Sequence, residues 1–233
     1  MSKFLYNWIK TAQNAVLAPC CPICAATIDA EAGLCAGCAG ELPWLEIQCQ
    51  HCALPLTAEA KTRVCADCAR RPRFDRALAA CRYRDPVAWL IGGLKYRHQL
   101  AYARVLGDLL ATRLSAEAMP DLLAPVPLHP AGFRRRGFNQ AERIAAHVHR
   151  RLGWPLDSDT FTRIRDTARQ STLNADARAA NMRGAFIAQR ALHGRRVALI
   201  DDVMTTTRTA AALARSARQA GAREVVVYCV ARA

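Results

Sequence analysis

The sequence predicts an α/β fold: an open parallel sheet with flanking helices, preceded by a small cysteine-rich module. Three observations carry this reading. Residues 197–200, Val-Ala-Leu-Ile, form a buried-strand run that ends in Asp201 and Asp202. A hydroxyl-rich loop and an alanine-rich helical run to Gly221 then lead to a second apolar run at 225–230, and a crossover of this length sets the two strands parallel. Upstream, cysteines recur in pairs of one spacing, which marks a separate module. The 233 residues suit one medium domain plus a small one, with expected boundaries at 1–18 for an N-terminal helix, 19–72 for the cysteine-rich module and 73–233 for the α/β domain.

Phe4, Leu5, Trp8, Ile9, Ala12, Ala15 and Val16 make a helical stripe at the start of the chain. Asn7 and Lys10 interrupt it, so it reads neither as a signal peptide nor as a membrane span. Without a secretory signal the expected location is the cytoplasm, where thiols stay reduced. The formal net charge is +14, and 29 of the 33 basic residues are arginine. Such a charge fits polyanions or phosphorylated substrates as partners, and equally a solvated arginine-rich surface.

Residues 20–68 hold nine of the eleven cysteines, eight of them as Cys21/Cys24, Cys35/Cys38, Cys49/Cys52 and Cys65/Cys68. Each Cys-x2-Cys knuckle presents two thiolates to one ion, and gaps of ten and twelve residues between partner knuckles suit a zinc ribbon. Eight ligands predict two structural zincs, paired in sequence order or interleaved. Four cysteines close the coordination sphere, so these zincs hold structure rather than catalyse. Cys20 is an alternative to Cys21 at a less usual spacing, His51 reads as a loop residue, and Cys81 and Cys229 as core.

Residues 75–83 read as a strand, 86–97 as a helix opened by proline in its first turn, and 100–114 as another helix. The cluster Lys95, Tyr96 and Arg97 either faces an anion or complements a helix C-terminus. Residues 122–127 form a short strand ending at Leu128, His129 and Pro130. Arg134, Arg135 and Arg136 follow, either inviting a pyrophosphate or forming a solvated loop. Asn139 with Glu142 three residues on makes a capping-box-like start for a helix that Gly153 ends. Residues 163–184 carry five arginines and read either as a lid or as an exposed connector before a strand at 185–188.

The loop after Asp202 has a chemistry of its own. Amide N–H groups at a helix start, with the helix dipole behind them, favour a phosphate, and Thr205, Thr206, Thr207 and Thr209 add hydroxyl donors. Asp201 and Asp202 would repel a phosphate but suit a sugar diol, or the cationic centre that develops as a glycosidic carbon loses its leaving group. Phosphate donors beside diol acceptors describe a ribose 5-phosphate site.

The stretch Ile200-Asp-Asp-Val-Met-Thr-Thr-Thr-Arg-Thr209 resembles the phosphoribosyl pyrophosphate (PRPP) loop of type I phosphoribosyltransferases. It departs at Thr207, where glycine is usual, and at Arg208, where a small residue is usual. Glycine permits positive φ, which a β-branched residue resists, so the resemblance implies a phosphate site weakened or rearranged around Arg208. The order of knuckles, Val-Pro-Leu-His-Pro, Arg-Arg-Gly-Phe-Asn-Gln, Arg-Asp-Thr-Ala-Arg-Gln-Ser and the Asp-Asp loop is similar to the ComF family, the competence protein F and GntX-like group, over nearly the whole chain.

This resemblance implies a type I phosphoribosyltransferase-like domain behind a double zinc ribbon, and an association with DNA uptake in natural transformation. By position it implies that Thr205, Thr206, Thr207, Arg208 and Thr209 hold the 5-phosphate and that Asp201 and Asp202 take the ribose diol. His129 would then lie by the pyrophosphate, and Arg165, Thr167 and Gln170 in a closing loop. Two readings follow: a glycosyltransferase of the phosphoribosyltransferase type, with magnesium on the pyrophosphate, or a non-catalytic module on the same fold that binds single-stranded DNA or a DNA-uptake helicase.

Overall fold

The computed structural model describes residues 19–29, 33–165 and 184–233. The N-terminal stripe at 1–18 and most of the arginine-rich segment, including Thr167 and Gln170, lie outside the described residues. The chain divides into two compact units, Met1–Leu42 and Pro43–Ala233, so the division falls between the second and third cysteine pairs. Among its described residues the smaller unit holds Cys21, Cys24, Cys35 and Cys38 and one short helix, α1 (Ala36–Gly40), for which the Cys35 sulfur accepts from the Cys38 amide.

In the larger unit, α2 (Ala66–Arg70) begins within the fourth cysteine pair and leads to β1 (Arg76–Arg82). Helix α3 (Val87–Arg97) starts one residue after Pro86, with Asp85 Oδ1 accepting from the Trp89 amide at 3.0 Å. Next come α4 (Ala101–Leu114), β2 (Leu122–Pro125), α5 (Pro130–Arg136) and α6 (Gln140–Leu152). Asn139 caps α6 by accepting from the Ala141 amide, and Gly153 ends it at φ +71°, a turn that favours glycine. The strands β3 (Phe161–Arg163) and β4 (Phe186–Ala188) pair antiparallel on their own. Last are β5 (Arg196–Met204), α7 (Arg208–Gln219) and β6 (Glu224–Arg232).

The main sheet has the order β1-β6-β5-β2 and is parallel throughout. Both faces are covered, which is why its central strands read as unbroken apolar runs. Val197, Leu199, Val225, Val227 and Cys229 cluster with Ala210, Leu213, Ala214 and Ala217 of α7 on one face. Ala198, Ile200, Val226 and Tyr228 alternate to the other face, where α4 and α6 pack. Gly107 lets those two helices approach: a Cβ there would lie 2.4 Å from the His147 Cβ.

The outer edge of β1 is covered by the segment that leads into the third and fourth cysteine pairs. The Ala77 amide donates to the Gln50 carbonyl at 2.8 Å, the Ala79 amide to Gln48 Oε1 at 2.8 Å and the Arg82 amide to the Pro43 carbonyl at 2.8 Å. Leu45 donates in the opposite sense to the Ala80 carbonyl. His51 also faces this edge, its Nδ1 2.7 Å from the Asp75 carbonyl.

Candidate functional site

Strand β5 runs four residues past its apolar stretch, carrying Asp201 and Asp202 to the carboxyl edge of the sheet before the loop turns into α7. Open parallel sheets bind ligands at that edge, and the first amides of α7 have no partner within the helix. Asp201, Val203, Thr205, Thr206, Arg208 and Thr209 line a small concavity there. Thr205 and Thr206 are exposed, whereas Thr207 is buried.

Thr207 takes φ +59° and ψ −2°, so the loop keeps a glycine-type turn although its residue is β-branched. That conformation costs about 1–2 kcal/mol for a residue with a Cβ and persists only where neighbours fix it. Here they do. The Thr207 hydroxyl donates to the Thr206 carbonyl at 2.6 Å and accepts from the guanidinium of Arg73, which reaches the Thr206 carbonyl as well. The Thr207 carbonyl accepts from the Ala211 amide at 2.8 Å. The Thr207 proton is thus committed inside the loop, and the exposed hydroxyls of Thr205 and Thr206 are the ones presented outward.

The two carboxylates differ. Asp202 is 2% exposed, and the ammonium of Lys95 on α3 lies against its Oδ2. Burial alone would lower the Lys95 pKa, but the negative charges of Asp202 and then Asp201 raise it above its ordinary value. Asp201 is partly exposed, and its Oδ1 accepts from the Asp202 amide at 2.9 Å. Burial, and next the charge of Asp202, push the Asp201 carboxyl well above its ordinary range.

A second basic residue braces the loop from behind. Arg232, near the end of β6 and 7% exposed, donates through Nε to the Cys52 carbonyl at 3.0 Å. Its guanidinium also donates to the Met204 carbonyl at 3.0 Å, the Thr205 carbonyl at 2.6 Å and the Ala233 carbonyl.

His129 lies in the loop after β2, the strand beside β5, so its loop and the Asp201 loop leave neighbouring parallel strands at the same edge. Its Nδ1 accepts from the Ala131 amide at 3.3 Å and caps α5. The triple arginine is helical rather than a loop. His129, Pro130 at the first turn and Gly137 at φ +77° bound α5, and Arg134, Arg135 and Arg136 complement its C-terminus. Arg165 follows β3 on the separate two-stranded sheet and is exposed.

The sulfurs of Cys21, Cys24, Cys35 and Cys38 lie within 4.8 Å of one another, as do those of Cys49, Cys52, Cys65 and Cys68. The pairing therefore follows sequence order. Cys24 to Cys35 and Cys52 to Cys65 are both 3.6 Å between sulfurs, against roughly 3.8 Å for the edge of a tetrahedron with zinc–sulfur bonds of about 2.3 Å. Four thiolates this close repel one another unless a cation lies among them. Burial opposes ionisation of Cys21 and Cys49, but amide donors, from Cys35 and Cys65 respectively and from their own knuckles, bring them down to about 6 and about 7. Cys38 is raised chiefly by hydrogen bonding to Cys35, Cys68 chiefly by burial, and burial leaves Cys52 at about 11. Both groups thus fit structural zinc. Cys81 and Cys229 are fully buried in β1 and β6, as core residues.

Sequence reasoning passed over Lys95 as a partner for Asp202, and Arg73 and Arg232 altogether. The signal for Lys95 was its place four residues after Ile91, on the stripe that α3 buries. For Arg232 it was a charge at the end of an otherwise apolar strand.

Residues 12–81 match the double zinc ribbon domain family. A DNA utilization protein, YhgH, of Salmonella typhimurium is 32% identical over 207 residues, covering 86% of this chain and 90% of the relative. Competence protein F of Haemophilus influenzae is 32% identical over 214 residues, covering 88% and 92%. Among solved structures, the glutamine PRPP amidotransferase of B. subtilis is 22% identical, with a TM-score of 0.39 over 55% of this chain and 25% of the other. A purine phosphoribosyltransferase of Pyrococcus horikoshii is 17% identical, with a TM-score of 0.35 over 67% and 86%. With nearly a third of its residues shared with competence protein F along most of both chains, the chain belongs to the ComF family.

Proposed function

We propose that this protein binds PRPP at the carboxyl edge of its parallel sheet and serves in DNA uptake, as the names of its relatives suggest. The observation that carries the reading is Thr207, held at positive φ where β5 turns into α7. A strained turn kept at a helix start has a use if an anion must approach the backbone closely. The first amides of α7, the hydroxyls of Thr205, Thr206 and Thr209, and the cation of Arg208 receive the 5-phosphate. Asp201 accepts from the ribose diol, while Lys95 holds Asp202 beside it. His129 lies toward the pyrophosphate, and Arg165, Thr167 and Gln170 belong to the segment that covers it. Magnesium supplies charge neutralisation on the pyrophosphate when bound, mostly through the ligand's own oxygens. The test is calorimetric titration of the zinc-loaded protein with PRPP, with and without magnesium, and with ribose 5-phosphate for comparison. Saturable binding lost in Asp201→Asn supports the reading, and no binding by either ligand overturns it.

A specific surface favours a second reading, single-stranded DNA as a partner. Tyr96, Phe133 and Trp89 are 74%, 48% and 41% exposed, with Arg136 stacked over Tyr96 and Arg97 over Trp89. Exposed rings interleaved with guanidinium groups are how nucleic-acid surfaces take unpaired bases. Affinity for an oligonucleotide should then fall steeply with salt and drop in Tyr96→Ala. Salt-insensitive or absent binding rejects this partner.

A further inference from the structure

Resting on the phosphate-loop reading, we infer that the metal state of the second four-cysteine group sets the geometry of the phosphate loop, with Arg232 and Arg73 as the positioning residues that carry the coupling. Each residue from Met204 to Thr207 offers an oxygen to one of these two guanidinium groups. Arg232 takes the carbonyls of Met204 and Thr205, and Arg73 takes the Thr206 carbonyl and the Thr207 hydroxyl. The far side of each guanidinium rests on the cysteine group. Arg232 donates to the carbonyl of Cys52, itself one of the four, and Arg73 to Asp67, which stands between Cys65 and Cys68.

The two links differ in strength. Arg73 and Asp67 are both largely exposed, so their pair fixes little by itself. Arg232 is buried, and a buried cation that loses one acceptor must move or find another. The third cysteine pair is tied to β1 through Gln50 and His51, but the buried cluster around the four sulfurs is small: Cys49, Cys52, Cys65 and Cys68, with Leu56 and Val64 packed against them. Small sites of this kind draw their folding free energy from the metal. Losing the metal frees the Cys52 carbonyl and Asp67, slackens both guanidinium groups, and lets Thr207 relax from its left-handed turn.

The experiment compares hydrogen exchange at residues 205–209 and PRPP affinity in the full chain. It uses zinc-loaded wild type, the second-group variant Cys65→Ser with Cys68→Ser, and, as a control for zinc in general, the first-group variant Cys24→Ser with Cys38→Ser. Because the second-group variant could disturb folding more widely, Arg73→Ala is measured as well, with zinc content confirmed at wild-type level. Loss of one charged hydrogen-bond partner should raise loop exchange and weaken binding about tenfold in Arg73→Ala, with Arg73→Lys recovering part of it. In a Thr207→Gly background the same Arg73→Ala change should alter affinity less than about twofold, because glycine needs no restraint at positive φ. Unchanged loop exchange in the second-group variant overturns the coupling, as does an equal response in the first-group variant, and unchanged exchange in Arg73→Ala overturns the role given to Arg73. If wild type binds no PRPP, the site reading fails instead, and the exchange measurements still decide the coupling.

Discussion

The ammonium of Lys95 lies against Oδ2 of Asp202, joining the last turn of α3 to the end of β5. Asp202 is 3% exposed at its side chain and Lys95 19%, so neither charge is well hydrated. Removing one partner of a buried pair strands the other. Lys95→Met should therefore cost about 3 kcal/mol in urea unfolding. Adding Asp202→Asn should recover most of that loss, and a double variant no more stable than Lys95→Met would show that the lysine acts through its packing alone.

Asp201 gives a pH signature. Its folded carboxyl is raised by burial and by the charge of Asp202, so at neutral pH its ionised form destabilises the fold, and that penalty fades as pH falls through the raised value. Below the ordinary 3.8 the folded and unfolded states are both protonated and the effect is gone. Asp201→Asn should thus be more stable than wild type at pH 7, by about 1 kcal/mol, with the advantage shrinking toward pH 4. An advantage that grows on acidification contradicts the assigned cause.

The Thr207 turn separates two demands that one side chain meets. Thr207→Gly removes the strain and the hydroxyl together, so its stability should stay within about 1 kcal/mol of wild type. Thr207→Val keeps the β-branch and loses the hydroxyl that Arg73 and the Thr206 carbonyl share, and should cost about 2 kcal/mol. Thermal melts of both variants decide it: a Thr207→Val as stable as wild type would mean that the hydroxyl contacts contribute nothing, and equal losses in the two variants would mean that the left-handed turn carries no strain.

Between α4 and α6, Gly107→Ala would drive a methyl to 2.4 Å from the His147 Cβ and 3.0 Å from the Ile144 carbonyl, both parts of a helix that cannot swing aside. Overpacking of this kind costs about 1–3 kcal/mol. Denaturant midpoints should fall accordingly, while the PRPP affinity proposed for the first turn of α7, on the other face of the sheet, should be unchanged.

Local signals gave the regular elements and missed the long-range ones. Asn139 and Gly153 mark both ends of α6 because a cap and a left-handed turn are decided within a few residues. The runs before Asp201 and after Gly221 announce β5 and β6 because a sheet covered on both faces tolerates only apolar side chains at its centre. Arg134, Arg135 and Arg136 looked like a loop because their charge hid a helix bounded by Pro130 and Gly137. Arg73 meets Thr207 across 134 residues and Arg232 meets Cys52 across 180, separations over which spacing carries no information. The four-cysteine groups were legible because a metal site imposes its spacing on the chain that makes it.

The cysteine-rich segment that covers β1 has a bearing on how this protein can be dissected. A parallel sheet ends in strands whose outward amides and carbonyls would pair with any passing strand. Gln48, Gln50 and Pro43 already occupy that side of β1. A truncated chain starting near residue 73 would uncover the strand edge at Ala77, Ala79 and Arg82, and its expected fate is strand-to-strand self-association. By this argument the segment shields a strand edge as well as holding the second four-cysteine group, and the fold's first boundary that a shortened chain should respect is the one between Leu42 and Pro43.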